Sequence, residues 1–203
     1  MAFRRTPLLL LTACVSFAQD SVPTFGTTVV IPSGLRGAVY HVHTNTVRLP
    51  DFAKLKPKGI IYTSSLNIPR RDFREGFPGV TTRFEWFAID YTGKFWIARP
   101  GLYRFSLTSD DGARLYIDDQ LIADNDGIHA ESDRFASLRL AGGIHRVRVS
   151  YFQGPRFSVA LVLRIAPPDG DYRIFNTEEL KPPPNPETWA FPPDPQSAPP
   201  RFP

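Results

Sequence analysis

Two adjacent aspartates, Asp110 and Asp111, carry the strongest indication of chemistry in this sequence. Neighbouring carboxylates repel each other, so they are stable side by side where solvent or a cation offsets their charge. Calcium, which takes six to eight oxygen ligands, suits such a pair. Apolar and polar residues alternate on both sides, from Tyr103 to Thr108 and from Ala113 to Asp118, which predicts a half-buried strand before and after the pair. The two aspartates are therefore the leading candidate site, at a junction between strands.

A second oxygen-rich stretch follows at Asp124-Asn125-Asp126-Gly127. It is similar to the opening of a calcium-binding loop but lacks the later bidentate glutamate. Asp-Gly steps also form ordinary turns, and a turn is the simpler interpretation. If this loop lies beside Asp110, then Asn125 or Asp126 would join the same ligand shell.

Several function classes are disfavoured. The chain lacks a Gly-x-Ser-x-Gly stretch, a His-Glu-x-x-His stretch and a glycine-rich phosphate loop. Glycoside hydrolysis needs two carboxyl groups about 5–10 Å apart across a cleft, and adjacent residues on one turn cannot flank a substrate in that way. We therefore expect a protein that is not an enzyme.

The basic balance does not indicate a nucleic-acid partner. Lys and Arg number 24 against 20 Asp and Glu, a net charge of +4. Two of the basic residues, Arg4 and Arg5, lie in the N-terminal segment, and without them the net charge falls to +2. The remaining basic residues are interspersed with acidic ones, so no basic patch is evident.

The N-terminus has the pattern of an export signal. Arg4 and Arg5 precede an apolar run from Leu8 to Val15, and small residues at Ser16 and Ala18 predict cleavage after Ala18. The apolar run is too short to span a bilayer, and no later run is long enough. An alternative is a lipid anchor at Cys14, because Leu11-Thr12-Ala13-Cys14 is similar to a bacterial lipobox. Either way, we expect a secreted, periplasmic or cell-surface protein without disulfides.

Short alternating segments dominate the middle of the chain and predict an all-β fold. We expect strands at 37–43, 59–64, 82–91, 94–98, 102–108, 113–117, 120–123, 135–140, 144–152 and 157–165. The steps Thr92-Gly93 and Asp118-Asp119 each predict a tight hairpin turn. Many short strands separated by Gly and Asp turns favour an antiparallel β-sandwich of jelly-roll type.

Composition divides the chain into four parts. We predict a signal peptide at 1–18, an N-terminal segment at 19–32, the sandwich domain at 33–168 and a proline-rich tail at 169–203. Because proline lacks an amide donor and has a fixed φ, the tail is expected as polyproline II or disordered chain rather than as part of a sheet. Trp189 and Phe191 could attach it to the domain.

The sequence resembles the protective-antigen-type domain, a β-sandwich module of anthrax toxin, bacterial glycosidases and fungal flocculin adhesins. The resemblance covers about 33–168, and its densest part runs from Ser109 to Asp118. Further matching stretches are Gly34-Leu35-Arg36-Gly37-Ala38-Val39-Tyr40, Phe84-Glu85-Trp86-Phe87-Ala88-Ile89-Asp90-Tyr91, Gly101-Leu102-Tyr103-Arg104-Phe105, Asp124-Asn125-Asp126-Gly127-Ile128-His129 and Gly142-Gly143-Ile144-His145-Arg146-Val147-Arg148-Val149-Ser150-Tyr151-Phe152.

The resemblance implies a ligand. In the fungal adhesins a cis peptide joins two aspartates that hold a calcium ion, and the ion binds two hydroxyls of a terminal sugar. Asp110 and Asp111 match that pair. The adhesins add an asparagine from a second loop, and Gln153 falls at or near its position, with the same carbonyl chemistry on a side chain one methylene longer.

We therefore expect a secreted carbohydrate-binding module that recognises a glycan or cell-surface polysaccharide. Calcium would be held by Asp110, Asp111 and Gln153, with Asn125 and Asp126 as further candidate ligand-binding residues. The alternative is a non-catalytic structural or protein-interaction module of the cell envelope, in which the aspartates cap turn amides and bind no ligand. A third interpretation is an accessory domain whose catalytic partner is another chain.

Overall fold

The computed structural model describes residues 34–80, 83–185, 187 and 190. Within them, eleven strands form two antiparallel sheets that pack as a sandwich, which confirms the predicted fold class. The strands are β1 (Leu35–His41), β2 (Gly59–Thr63), β3 (Asn67–Asp72), β4 (Phe87–Ile97), β5 (Gly101–Asp110), β6 (Ala113–Ile117), β7 (Gln120–Asn125), β8 (Ser132–Leu140), β9 (Gly143–Gln153), β10 (Ser158–Ala166) and β11 (Arg173–Ile174).

Strand order explains how the site is built. One sheet has the order β2-β1-β4-β9-β6-β7, and the other has the order β11-β10-β5-β8 with β3 also paired to β10. Of the seven connections between described strands that pass from one sheet to the other, three carry the candidate residues: β5 to β6, β7 to β8, and β9 to β10. We call these connections the 110–112, 126–131 and 154–157 arches, and hydrogen bonds join all three at one end of the sandwich.

The core lies between the sheets and follows the period-two pattern of the strands. On β6, for example, Ala113, Leu115 and Ile117 are fully buried while Arg114 and Tyr116 are half-buried. The largest fully buried side chains are aromatic: Tyr91, Tyr151, Phe87, Phe95, Phe105, Phe152 and Phe175. A smaller cluster of Val42, Ala88 and Phe152, with Leu49, Phe52, Leu55 and Trp86 against it, covers the outer face of the six-stranded sheet.

One predicted hairpin is wrong. Thr92 and Gly93 lie inside β4, a continuous strand of eleven residues that pairs with β9 along its whole length. Gly93 serves packing instead, because a Cβ there would lie 2.8 Å from Leu35 Cδ2. The other predicted turn is confirmed: Asp118 and Asp119 both have positive φ, at 49° and 67°, as a two-residue type I′ turn requires.

Two strands were not predicted. The β3 segment contains Pro69 and shows no alternation, features that suit a strand at an edge. The β11 pair, Arg173–Ile174, lies beyond the expected domain end at Pro168 and joins β10. Packing continues past it, since Phe175 and Leu180 are buried. The chain from Asp169 to Leu180 thus lies on the sandwich, although its composition suggested tail.

The described residues include no helix long and apolar enough to cross a membrane. The predicted signal peptide, the alternative anchor at Cys14, the N-terminal segment at 19–32, and Trp189 and Phe191 all lie outside the described residues.

Candidate functional site

The two predicted aspartates lie in the 110–112 arch, where the chain leaves β5 and enters β6. A cis peptide bond joins them. Only 5% of Asp110 and 3% of Asp111 is exposed to solvent. The pair is therefore buried at the end of the sandwich and does not lie in an open turn.

Asp111 links the three arches. Its Oδ2 accepts a hydrogen bond of 2.8 Å from the Gly154 amide, and its Oδ1 accepts one of 3.2 Å from the His129 amide. Gly154 belongs to the 154–157 arch and His129 to the 126–131 arch. Because one carboxylate accepts from both, its position depends on both neighbouring loops, and theirs on it.

Asp110 is held by two hydroxyl groups. Ser158 Oγ donates to Asp110 Oδ2 at 2.6 Å, and the Tyr151 hydroxyl lies 2.8 Å from the Asp110 carbonyl oxygen. Burial, together with the nearby charges of both aspartates, raises the pKa of Tyr151, so this hydroxyl keeps its proton and remains a donor.

The predicted third residue, Gln153, does reach the pair. It is fully buried, and its Nε2 lies 3.4 Å from Asp111 Oδ2 and 3.1 Å from the Ser158 carbonyl oxygen. Its Oε1 lies 2.5 Å from the Tyr151 hydroxyl. The structure therefore brings Asp110, Asp111 and Gln153 together, with the amide nitrogen of Gln153 toward Asp111.

A cavity of about 390 Å³ lies against the pair. The two aspartates, His129 and Ser158 line it, and Ile128, Ala130, Arg70, Pro155, Arg156 and Phe157 complete its wall. Phe157 is 82% exposed, although most large apolar side chains of this chain are buried. The cavity thus combines an acidic floor with an exposed aromatic ring at its rim.

Within the described part of the chain, the charge of the pair has no partner at ion-pair distance. Among the ion pairs of the described residues, none joins Asp110 or Asp111 to Lys, Arg or His. Burial raises the pKa of Asp111 to about 6, and the charge of Asp110 adds to this rise, while the hydrogen bonds from Gly154 and His129 oppose it. Two buried carboxylates without a cation are costly, and a bound cation would remove that cost.

Asn125 contacts residues that adjoin the aspartates in the chain or in space. Its Nδ2 donates to Ser109 Oγ at 2.8 Å and to the Ser132 carbonyl at 3.0 Å, while its Oδ1 accepts from Ser132 Oγ at 3.0 Å. Its carbonyl oxygen lies 2.8 Å from His129 Nε2. These contacts use the whole amide to hold the 126–131 arch.

Asp126 contacts groups other than the pair. Its Oδ1 accepts from the Leu49 amide at 2.7 Å, and its Oδ2 lies 3.2 Å from Arg114 Nη2. Arg114 Nε also lies 3.1 Å from Asp124 Oδ1. This second oxygen-rich loop therefore carries its own cation, Arg114, and attaches the loop before β2 to the site's arches.

Several residues of the site were missed from the sequence. Ser158, His129 and Gly154 contact the aspartates, and none of them forms a motif with Asp110 in the chain. Glycine at 154 has a structural reason, because a Cβ there would lie 3.2 Å from Asp111 Oδ2. The Tyr151-Phe152-Gln153-Gly154 stretch at the end of a predicted strand was the available signal.

The donors present suit a hard cation. Among the described residues, no group of three or more His, Cys, Asp or Glu side chains is arranged to hold a metal ion. A cation here would therefore take carboxylate oxygens from Asp110 and Asp111 and further oxygens from amides, backbone carbonyls or a ligand. Oxygen-only coordination with open positions is the chemistry of calcium rather than of zinc.

Solved structures share this fold. The chain matches a PA14 sugar-binding domain from an RTX adhesin at 19% identity and a TM-score of 0.59, covering 71% of this chain and 96% of that one. It also matches the Epithelial Adhesin 9 A domain of Candida glabrata, solved in complex with Galβ1-3GlcNAc, at 15% identity and a TM-score of 0.54. That match covers 77% of this chain and 93% of the adhesin domain. An anti-sigma factor domain-containing protein matches at 22% identity and a TM-score of 0.59. That match includes 75% of this chain but spans only about half, 48%, of the other protein.

At these identities the structural likeness shows a common fold and nothing finer. Among curated proteins, no match to the chain is found. The family model of the PA14 domain, however, matches residues 33–178, most of the chain. Its boundaries agree with the packing of β11 and Phe175 against the sandwich. The chain therefore belongs to the PA14 domain family, the protective-antigen-type family that its sequence resembles.

Proposed function

We propose that this protein is an extracellular carbohydrate-binding module in which Asp110 and Asp111 hold a calcium ion at the floor of the 390 Å³ cavity. The observation that carries the proposal is the burial of two adjacent carboxylates that form no ion pair with any described basic residue, in a wall that faces open space. Calcium would neutralise the pair, and vicinal hydroxyls of a glycan would supply coordinating oxygens that the protein does not.

Gln153 is the third protein ligand in this proposal. A side-chain amide exposes either its oxygen or its nitrogen to a given neighbour by rotating about its last bond. With its oxygen toward the aspartates, Gln153 would contribute to the cation, and its nitrogen would donate to the Tyr151 hydroxyl oxygen. Tyr151 could then give its own proton wholly to the Asp110 carbonyl, while the Ser158 carbonyl oxygen would lose the Gln153 donor that it has here.

The rim fits a glycan ring. Phe157 is exposed beside the acidic floor, and an aromatic face provides an apolar surface for the C–H face of a sugar. Arg70 and Arg156 also line the cavity and can donate to sugar hydroxyls. A shallow, wet site of this kind gives modest affinity, since a small ligand offers few atoms.

The proposal includes no catalysis. Asp110 and Asp111 are adjacent on one arch and cannot lie on opposite faces of a glycosidic bond. Two adhesin domains of this fold carry names that describe sugar binding or a bound disaccharide, which supports recognition as the role here.

Glycan-array binding in calcium and in chelator tests the proposal. The wild-type chain should bind a defined set of glycans only with calcium, and Asp110→Asn and Asp111→Asn should each abolish that binding. Asp119→Asn is the matched control, because Asp119 is an exposed aspartate paired with Arg146. Glycan binding that is equal in calcium and in chelator would contradict the calcium mechanism.

One observation favours the alternative, an envelope interaction module without a ligand. Asp111 already accepts hydrogen bonds from the amides of two arches, as a purely structural carboxylate would. In that case Asp111→Asn would destabilise the domain by the same amount with and without calcium. Calcium protection that depends on Asp111 would exclude this alternative.

A further inference from the structure

A second cavity, of about 290 Å³, lies between the edge strands β2 and β3. It shares no lining residue with the aspartate cavity. None of its lining residues is charged, and they are Ile61, Tyr62, Thr63, Ser65, Leu66, Asn67, Ile68, Pro78, Gly79 and Tyr91. Water fills about 30 Å³ per molecule, so this space is far larger than one bridging water needs.

Tyr91 is the unusual member of this wall. Only 2% of the residue is exposed, and its hydroxyl makes no hydrogen bond to a described residue, yet it is not among their fully enclosed unpaired atoms, so it is accessible from the cavity. A hydroxyl that lines a cavity without a partner in the protein can donate to a molecule held in that cavity. Burial raises the pKa of Tyr91, which keeps the hydroxyl protonated and able to donate.

A glycine on the neighbouring strand lets Tyr91 reach this position. Gly37 on β1 is directly paired with Tyr91 on β4, and a Cβ at Gly37 would lie 2.6 Å from Tyr91 Cε1. The ring therefore lies across β1, toward Ile61 on β2, where the cavity begins. Any larger residue at 37 would displace the ring and its hydroxyl.

The lining determines the chemistry of an occupant. A charged ligand would be left unpaired in a neutral wall, which is strongly unfavourable. Hydroxyl and amide groups at Ser65, Asn67 and Tyr91 can bond a hydroxylated molecule, while Ile61 and Leu66 offer apolar contact. Such a mixture matches a compact, neutral, hydroxyl-rich ring with one apolar face.

We infer that this cavity is a second, calcium-independent binding site for a single neutral sugar unit, with the Tyr91 hydroxyl as a donor in its wall. The inference does not rest on the aspartate site, because no residue is common to both cavities. A chain with two such sites could contact one glycan at two points or two glycans at once, which raises apparent affinity without a new contact.

Amide chemical shifts, recorded by NMR in chelator, test the inference with D-glucose, D-galactose and glycerol as probes. At least one sugar should shift the amides of Ser65 and Asn67 in a saturable way. Tyr91→Phe removes only the hydroxyl and should weaken that binding by roughly five- to tenfold, the effect of one neutral hydrogen bond. The melting temperature of Tyr91→Phe should match or exceed that of the wild type, which verifies the fold.

Tyr103→Phe is the matched control, because Tyr103 is also a buried tyrosine but donates to the Arg99 carbonyl, away from this cavity. It should leave sugar binding unchanged. Equal binding by Tyr91→Phe and Tyr103→Phe, or no saturable shift at Ser65 and Asn67 in the wild type, would overturn the inference. Since calcium is absent, neither result depends on the aspartate site.

Discussion

The same dipeptide, Asp-Asp, stands just before and just after strand β6, and the fold treats the two copies in opposite ways. Asp118 and Asp119 form an exposed hairpin turn, where Asp118 lies 2.6 Å from His145 Nδ1 and Asp119 2.6 Å from Arg146 Nη2. Asp110 and Asp111 are buried in an arch between the sheets, and only neutral donors contact them.

The pKa directions express this difference. The pKa of Asp118 is lowered. Partial burial alone would raise it, but the hydrogen bonds from His145 and from the Arg146 amide outweigh that effect. Burial raises the pKa of Asp111 to about 6, with Asp110 adding to the rise. A pair that carries its own side-chain partners serves structure, whereas a pair without a basic partner is suited to receiving a cation.

The residue after each pair should give the largest difference in stability. A Cβ at Gly112 would lie 2.4 Å from Phe152 Cε1 and 2.8 Å from the Gly127 nitrogen, which is backbone and cannot move away freely. Gly112→Ala should lower the free energy of unfolding by about 3 kcal/mol. Gln120, which follows the other pair, is exposed, and Gln120→Ala should change it by less than about 0.5 kcal/mol. Denaturant unfolding of both variants is the measurement, and equal costs would contradict this packing.

The pH dependence of stability should have opposite signs at the two pairs. Asp111 has a folded pKa above its unfolded value of 3.8, so in chelator its contribution is present below pH 3.8 and is lost as the pH rises through about 6. The difference in unfolding free energy between the wild type and Asp111→Asn should therefore change by about 3 kcal/mol over that window.

Asp118 should show the reverse behaviour. Its pKa is lowered, so its contribution is present above pH 3.8 and is lost as the pH falls through the folded value. Unfolding curves of Asp118→Asn and Asp111→Asn over the acidic range measure both signs. The same sign for both variants would show that the two environments are not different.

Breaking the connection between the second oxygen-rich loop and the site should have a smaller effect on the free energy of unfolding. Arg114 contacts Asp124 and Asp126, and the arch that follows Asp126 supplies the His129 amide to Asp111. Arg114→Met should cost about 1–2 kcal/mol and weaken calcium binding several-fold, because the arch loses its anchor. Arg146→Met, which removes an exposed partner of Asp119, is the control for calorimetric calcium titration. Unchanged calcium affinity in Arg114→Met would show that the loop is independent of the site.

The exposed pair should give the smallest effect. Asp119 lies at φ 67°, a conformation that asparagine tolerates well, and its side chain is 79% exposed. Asp119→Asn should change stability by less than about 0.5 kcal/mol. A melting experiment that found a cost comparable to that of Gly112→Ala would contradict this interpretation of the turn.

Alternation in the sequence predicted most of the sandwich because each strand has one buried face. Ala113–Ile117 was predicted to the residue, and the tight turn predicted at Asp118-Asp119 has the positive φ angles of type I′. Gly93 was misleading: a glycine can permit a turn or a close contact, and only the approach of Leu35 shows which. The Asn67–Asp72 strand was missed because an edge strand with a proline has no periodic pattern.

The candidate site could be predicted only in part, for a topological reason. Asp110 and Asp111 were recognisable because they are adjacent, and Gln153 through the family resemblance. Ser158, at the start of β10, and His129, in the 126–131 arch, lie 48 and 18 residues away from the aspartates they contact, so only the sheet order brings them there. Asn125 and Asp126 looked equivalent in the sequence, yet one supports the arch behind the aspartates and the other pairs with Arg114.

The melting temperature in calcium and in chelator, compared between two double variants, tests the central claim most directly. The wild type and Asp118→Asn/Asp119→Asn should both melt several degrees higher in saturating calcium, because ligand binding to the folded state stabilises it. Asp110→Asn/Asp111→Asn should show no such rise. A calcium-dependent rise that survives in Asp110→Asn/Asp111→Asn, or no rise in the wild type, would contradict the assignment of the buried pair as the cation site.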